Sequence, residues 1–349
     1  MIDSFAGKRV VVTGATGLIG SRLASKLLEM QRTKVVAMGR NMQKLRLVFS
    51  KFLANGNLEL CAHDISRPLP HSLGVADYIF HAAGPVSGNI IKSSPTSAIA
   101  VNVMGVSNCL DYIVMQKSKL GVDGRVCVFS SATVYGCPHD IDKIVVECDT
   151  DSAELLDSIM APYSESKRMA EVIARAYVRE FGIDVLIARI GYVYGASVVP
   201  QANAFSEFLG NAYKNKDLVF QHSKFPRRDN IFVDDAVSGV LCVALRGATG
   251  EAYNVSSGGG GGNYVAIDEI AQEIANVANC YGGMNIAVKG PKSFVHEAGI
   301  ILNNDKLVNL GWAPLTTLVD GIKRTFIEYG QLANNTAVPC AFRRTPYEN

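Results

Sequence analysis

Tyr163 and Lys167 stand four residues apart in Pro162-Tyr163-Ser164-Glu165-Ser166-Lys167-Arg168. On a helix that spacing puts both side chains on one face. An ammonium beside a phenol favours the phenolate and lowers its pKa toward the working pH. Such a phenol can take a proton from a substrate hydroxyl while the carbon bearing it is oxidised. Earlier, Phe129-Ser130-Ser131-Ala132-Thr133-Val134-Tyr135-Gly136 closes an apolar run, and the Ser131 hydroxyl can hold the same oxygen in line. A tyrosine and a lysine at this spacing are ordinarily an exposed helix face, so their meaning depends on a third segment.

That segment opens the chain. Lys8-Arg9-Val10-Val11-Val12-Thr13 is a strand-like run broken by Gly14-Ala15-Thr16-Gly17-Leu18-Ile19-Gly20, with a helical pattern over residues 20–30. A strand, a glycine turn and a helix in this order hold a pyrophosphate: the glycines let the backbone approach, and the first free amides of the helix point at the anion. Gly14, Thr16, Gly17, Leu18, Ile19 and Gly20 are the expected contacts. The second strand ends at Gly39-Arg40, where an NAD-selecting chain usually carries an acidic residue for the ribose hydroxyl. A guanidinium there suits a 2′-phosphate instead, which favours NADP over NAD. The bland alternative is an Arg40 that stacks on adenine or faces solvent. Asp64 and Ile65, after the third strand, are expected near the adenine. His81, Ala82, Ala83 and Gly84, after the fourth, should line the cofactor channel, with Tyr163 and Lys167 touching the cofactor as well.

The elements needed to position these groups are legible as alternation. Strand patterns at 34–38, 57–62, 77–81, 125–130 and 183–189 alternate with helical ones at 20–30, 42–52, 97–115, 163–181 and 202–215. This spacing predicts an α/β protein with a Rossmann-like, doubly wound parallel sheet. Residues 1–190 form the expected dinucleotide domain, to which later strands return. Residues 191–330 form mainly a smaller substrate lobe, in which Trp312 should pack, and 331–349 a tail. Asp234-Asp235 reads as a helix start rather than a catalytic pair. Residues 258–262 read as a flexible surface loop.

At 349 residues, 48% hydrophobic and 19% charged, the chain has ample material for a large core. Its net charge of +2 argues against a nucleic-acid partner. No uninterrupted apolar run reaches the ~18 residues of a membrane span. The first strand begins within eight residues, which leaves no room for a signal peptide. The 8 cysteines lack a C-x-x-C pair and the 6 histidines lack metal-ligand spacing, so a reduced, cytoplasmic, metal-free protein is expected.

The glycine turn, the Ser131-Ala132-Thr133-Val134-Tyr135-Gly136 strand end and the Tyr163/Lys167 pair, in this order, resemble the extended short-chain dehydrogenase/reductases. The resemblance is specifically to the NAD(P)-dependent nucleotide-sugar epimerase/dehydratase family. Further matches are Ala188-Arg189-Ile190-Gly191-Tyr192-Val193-Tyr194-Gly195, Arg228-Asp229-Asn230-Ile231-Phe232-Val233-Asp234-Asp235, Tyr253-Asn254-Val255 and Leu310-Gly311-Trp312, so that nearly the whole chain is covered. The resemblance implies Ser131, Tyr163 and Lys167 as a catalytic triad. It also implies a nucleoside-diphosphate sugar as substrate, Arg228 on its phosphate, and Ser131, Thr133 and Tyr192 beside it. A homodimer through the helices around 97–115 and 163–181 is implied too.

Departures refine the expectation. Dehydratases of the family carry an acidic pair after the catalytic hydroxyl residue, and decarboxylating members a glutamate; this chain has Ala132 and Thr133. Where many members place an asparagine to hold the diphosphate, it has Tyr192, and the 196–201 loop lacks the usual glycines. The leading expectation is a 4-epimerase that oxidises C4, lets the 4-keto sugar rotate and re-reduces it. A 4-keto-sugar reductase using NADPH is second, favoured by Gly39-Arg40, and a 4,6-dehydratase third. A non-catalytic dinucleotide sensor on the same fold is the alternative from another class, opposed by the presence of both Tyr163 and Lys167.

Overall fold

The computed structural model describes residues 5–30, 32–85, 88–136, 142–149, 154–199 and 203–334. Most of the expected tail, the end of the 196–201 loop, Cys137, His139 and Cys340 lie outside the described residues.

Seven parallel strands make the large sheet: β1 (Arg9–Thr13), β2 (Lys34–Gly39), β3 (Leu58–Ala62), β4 (Tyr78–His81), β5 (Arg125–Ser131), β7 (Asp184–Ile190) and β11 (Ala252–Val255), in the order β3-β2-β1-β4-β5-β7-β11. A strand sends successive side chains to opposite faces, and here both faces are covered. Val10, Val12, Val35, Ala37, Cys127, Phe129, Leu186 and Ala188 enter one core. Their neighbours Val11, Val36, Met38, Val126, Val128, Val185 and Ile187 enter the other. The first core is closed by α1 (Leu18–Glu29), α2 (Met42–Val48) and α7 (Val233–Arg246). The second is closed by α4 (Pro95–Leu120) and α5 (Ala161–Phe181), with α3 (Gly88–Ser93) leading into α4. The strand order reverses between β1 and β4, the place beyond whose carboxyl ends sheets of this kind bind ligands.

Helix α5, which carries Tyr163 and Lys167, starts where Pro162 occupies the first turn and stops at Gly182 in the left-handed conformation (φ 59). Helix α4 is longer than its sequence pattern suggests. It is long and apolar enough to cross a membrane by length and composition; in this fold it buries Val106, Leu110 and Ile113 under the sheet.

The second sheet was not legible in the sequence. It joins β6 (Lys143–Val145), β8 (Tyr192–Tyr194), β10 (Lys224–Phe232), β12 (Tyr264–Val265) and β14 (Val295–Leu302), with β10 pairing β8 and β14 in parallel and β12 antiparallel. The pair β9 (Leu218–Val219) and β13 (Val288–Lys289) stands apart. Helices α6 (Ala204–Tyr213), α8 (Ile267–Gly282) and α10 (Leu318–Asn334) surround a third core of Phe205, Phe208, Ile270, Ile274, Ile322 and Phe326. A short α9 (Asp305–Val308) leads to Trp312, which corrects the expectation for that residue. Trp312 packs in the first core of the large sheet, and its indole donates to Ser238 Oγ at 2.8 Å on α7. Asp235 lies in the first turn of α7, as expected of a helix start, and accepts the Thr316 amide at 2.8 Å.

A buried ion pair locks β5, β7 and α5 together. Arg189 on β7, 2% exposed, meets Glu171 on α5 through Nε–Oε1 at 2.9 Å and Nη2–Oε2 at 2.7 Å. Ser130 on β5 donates to the same carboxylate at 2.6 Å, and Arg189 Nη1 donates to the Tyr135 hydroxyl at 2.9 Å. Tyr135 in turn donates to Asn254 Oδ1 on β11 at 2.7 Å. Burial pushes the Glu171 carboxyl upward, but Arg189 and Ser130 outweigh it and hold it below the ordinary carboxylate value. A depressed carboxylate contributes stability above its unfolded pKa of about 4.3 and loses it as pH falls through the folded value. Glu171→Gln should therefore cost about 3–5 kcal/mol at pH 7 by urea denaturation, because Arg189 is left uncompensated. The gap from wild type should shrink below about pH 4; a constant gap would refute the ionic account.

Candidate active site

Chain entry into the site is set by two backbone crossings. Gly14 takes φ +63, and a Cβ there would fall 2.7 Å from the Ala82 carbonyl and from Ala83 N. A Cβ on Gly20 would overlap the Gly14 carbonyl oxygen. The turn is thus pressed against the segment after β4, where the Ala83 amide donates to Thr13 Oγ1 at 3.2 Å. Gly17 stands at the N-cap of helix α1, which has no side-chain cap and no acidic residue in its first turn. Its leading amides are left for an anion, which is the fit a pyrophosphate needs. The Leu18 and Ile19 side chains pack against apolar cores, so only their backbone is left toward the turn. Thr16 Cγ2 lies beside Gly39, which brings the turn to the end of β2.

Arg40 is exposed at that end. Across from it, Asp64 accepts the Ser66 amide at 3.0 Å and its hydroxyl at 2.8 Å. These two bonds, with Arg40 and Arg67 adding their charge, hold the Asp64 carboxyl below its usual value. Ile65 is buried in the core, and its carbonyl accepts Asn108 Nδ2 at 2.8 Å.

Ser131, Tyr163 and Lys167 come together at the end of β5 and the start of α5, exposed by only 9%, 8% and 5%. Lys167 Nζ donates to the Phe129 carbonyl at 2.7 Å and lies 5.8 Å from the centre of the Tyr163 ring. Thr133 donates to Ser131 Oγ from its amide at 3.3 Å and from its hydroxyl at 3.2 Å. The expected downward pull of Lys167 on the phenol is not found. Burial pushes Tyr163 above its ordinary value, opposed by hydrogen bonding with Ser131, and the Tyr192 phenol adds to the rise. Burial also lowers Lys167 to about 8, against the opposing charge of Glu171. Desolvation is the largest influence on both groups, which are enclosed, and the ammonium is bound to a carbonyl.

One buried residue escaped the sequence reading. Asn102 on α4 is 1% exposed; its amide donates to Ser166 Oγ at 2.9 Å, while Oδ1 has no partner. A Cβ on Gly84 would sit 3.0 Å from that oxygen and 3.3 Å from Lys167 Nζ. Gly84 therefore leaves a polar niche between the cofactor channel and Lys167, a second feature that suits a bound dinucleotide. His81 lies beneath it, its ring in contact with Thr13 Oγ1 at 3.1 Å. Burial, then the charge of Lys167, depress His81 to about 3, so the ring is neutral. The sequence signal for Asn102 was an amide in the otherwise apolar stretch of α4.

On the substrate side, the Arg228 guanidinium lies 4.6 Å from the centre of the Tyr192 ring. The structure thus brings these two expected residues together, one on β10 and one on β8. The glycines at 258–262 follow a firmly held segment: the Ser257 hydroxyl donates to Asp229, and the Leu302 amide donates to the same carboxylate at 3.0 Å.

Known proteins resemble the chain at the level of sequence and of fold. UDP-glucuronic acid decarboxylase 3 of Arabidopsis thaliana is 27% identical over 90% of this chain and 86% of its own length. UDP-glucuronic acid decarboxylase 6 of the same plant is 30% identical over 67% of this chain and 65% of its own. The structure of dTDP-glucose 4,6-dehydratase from Bacillus anthracis in complex with NAD superposes with a TM-score of 0.76 at 21% identity, covering 96% of this chain and 99% of that one. UDP-glucuronic acid 4-epimerase from Bacillus cereus, in complex with UDP-glucuronic acid and NAD, gives 0.74 at 22%, covering 93% and 99%. Residues 10–256 match the NAD dependent epimerase/dehydratase family, and with the glycine turn, Ser131, Tyr163 and Lys167 in place the chain belongs to that family of extended short-chain dehydrogenase/reductases.

Proposed function

We propose that this enzyme is a nucleotide-sugar 4-epimerase. The observation that carries the reading is the pair after Ser131: neither Ala132 nor Thr133 can remove or add a proton at neutral pH, and Thr133 instead donates to Ser131. Elimination of water or loss of a carboxyl group would call for a carboxylate there; oxidation and re-reduction at C4 do not. The substrate is a nucleoside-diphosphate sugar, in keeping with the UDP-glucuronic acid named for the similar decarboxylases. When bound, the dinucleotide supplies hydride acceptance and donation at C4. In its phenolate form Tyr163 takes the C4 hydroxyl proton and later returns it, and Ser131 holds the oxygen; the positive charges of Lys167 and of the oxidised dinucleotide would favour that form against the burial that raises the phenol. The 4-keto sugar rotates between the two transfers. Tyr163→Phe should lower turnover at least about 10²-fold while dinucleotide binding, read by fluorescence titration, stays near wild type. Unchanged turnover would remove Tyr163 from the chemistry.

A one-way reduction of a 4-keto sugar is the second reading, favoured by the exposed Arg40 beside Gly39. The exposed Arg40 guanidinium is suited to a 2′-phosphate, which supports NADP as the cofactor. Arg40→Ala should weaken NADP binding about tenfold and leave NAD binding nearly unchanged. Equal losses would overturn the NADP preference. A dinucleotide that survives dialysis of the purified protein would favour the epimerase, and an empty, exchanging site the reductase.

The same reading includes a homodimer. Helices α4 and α5 expose Ile99 (42%), Met104 (51%), Met169 (49%) and Val172 (55%), an apolar face that a second copy would cover. Sedimentation should give a dimer that Met169→Glu dissociates; a wild-type monomer at micromolar concentration would sink the proposal.

A further inference from the structure

The first turn of α1 serves both lobes at once. The Leu18 side chain packs against the third core, that of the smaller lobe, while its neighbour Ile19 packs against the first. A Cβ on Gly195, just after β8, would lie 3.8 Å from Leu18 Cδ1. Arg22 follows Leu18 by four residues and so extends from the same face of α1. Its side chain is only 27% exposed and engages two further elements. Nε meets Asp234 Oδ1, in the first turn of α7, at 3.2 Å. Nη2 donates to Glu328 on α10, 306 positions along the chain. Glu328 is flanked by Phe326 and Tyr329, both buried in the third core. Asp234 stands two residues after Phe232, where β10 ends. The adjacent Asp235 accepts the Leu315 amide at 3.2 Å and the Thr316 amide at 2.8 Å on the way into α10. One arginine on the dinucleotide helix therefore reaches the end of the central strand of the second sheet and a helix of the smaller lobe.

Half-exposed ion pairs contribute little stability by themselves. The position of these gives them a use. The end turn of a helix is its least secure part, and in α1 that turn has neither a capping side chain nor an acidic residue. An anion on the leading amides supplies the missing cap and holds the turn in place. Leu18 lies in the turn so held, and Arg22 in the one after it.

We infer that α1 couples the two lobes: dinucleotide binding braces α10 and the start of α7 through Leu18 and Arg22. Arg22 is a positioning residue that acts through its own helix. Coupling of this sort is reciprocal, so the brace tightens the dinucleotide by the same factor with which the dinucleotide steadies the brace. The inference needs the dinucleotide site and is independent of which sugar is converted.

Hydrogen–deuterium exchange of the full chain, stripped of any retained dinucleotide and then saturated with NADP or NAD, tests this. In wild type, bound dinucleotide should slow exchange over residues 318–334 and the first turn of α7 at least about fivefold. In Arg22→Met and in Glu328→Gln it should still slow exchange over residues 18–29, while its effect on 318–334 disappears. The dissociation constant for the dinucleotide should rise about fivefold in each, and the double variant should bind no more weakly than either single one. A wild type whose protection stops at α1 overturns the inference. So does an Arg22→Met protein in which α10 exchanges faster throughout but keeps its wild-type response to dinucleotide, the mark of a merely structural contact. A wild type that binds neither dinucleotide overturns the inference together with the cofactor assignment. The expected exchange pattern in a protein without 4-epimerase activity supports the coupling and counts against the sugar reading alone.

Discussion

The pairing of Arg189 with Glu171 is the constraint from which the site is hung. Taking two charges out of water costs several kcal/mol per ion before their attraction returns it, so such a pair is weak evidence for added stability. What it fixes is geometry. Glu171 lies one turn beyond Lys167 on α5, and Ser130, which donates to Glu171, is the residue before Ser131. A fork of two short bonds, with Nη1 donating to the Tyr135 hydroxyl and the Glu147 carbonyl, fixes the placement of helix against strands. The residue before Ser131 and the helix that carries Tyr163 and Lys167 are held by the same carboxylate.

Enclosure sets the electrostatics that follow. Lys167 and His81 are driven toward their neutral forms, and the Tyr163 phenol is held protonated. Each of these groups is poorly hydrated, so a modest change in nearby charge shifts its protonation more than it would at a surface. A site built this way is sensitive to what enters it. The unpartnered Asn102 oxygen and the space left by Gly84 lie beside the lysine.

Legibility in the sequence followed the strength of the local signal. The strand–glycine–helix opening, the alternation that builds the parallel sheet and the i,i+4 tyrosine and lysine were all readable, because each has a period or a backbone requirement of its own. The second sheet was not: Lys224-Phe225-Pro226-Arg227-Arg228-Asp229 carries a proline and four charges, and its pairing with distant β14 decides its state. Asn102 was hidden because one amide in an apolar helix looks like tolerated polarity until the fold places it beside Lys167. The sign of the Tyr163 shift was misread because spacing reports proximity and says nothing of desolvation. Trp312 was assigned to the wrong core because a position late in the chain suggested the late lobe.

The return of distant segments to the large sheet governs the order in which the protein can be completed as it is synthesised. Strands β1 to β5 and β7 are available once residue 190 has been made, but β7 stays a bare edge until β11 arrives at residues 252–255. Helix α7 remains without its cover until Trp312 has emerged. The nascent chain therefore carries an open, strongly hydrophobic strand edge through the synthesis of some sixty residues, a stretch in which pairing with another chain competes with the native closure. The dinucleotide domain begins first at the ribosome and closes only after much of the smaller lobe has been made.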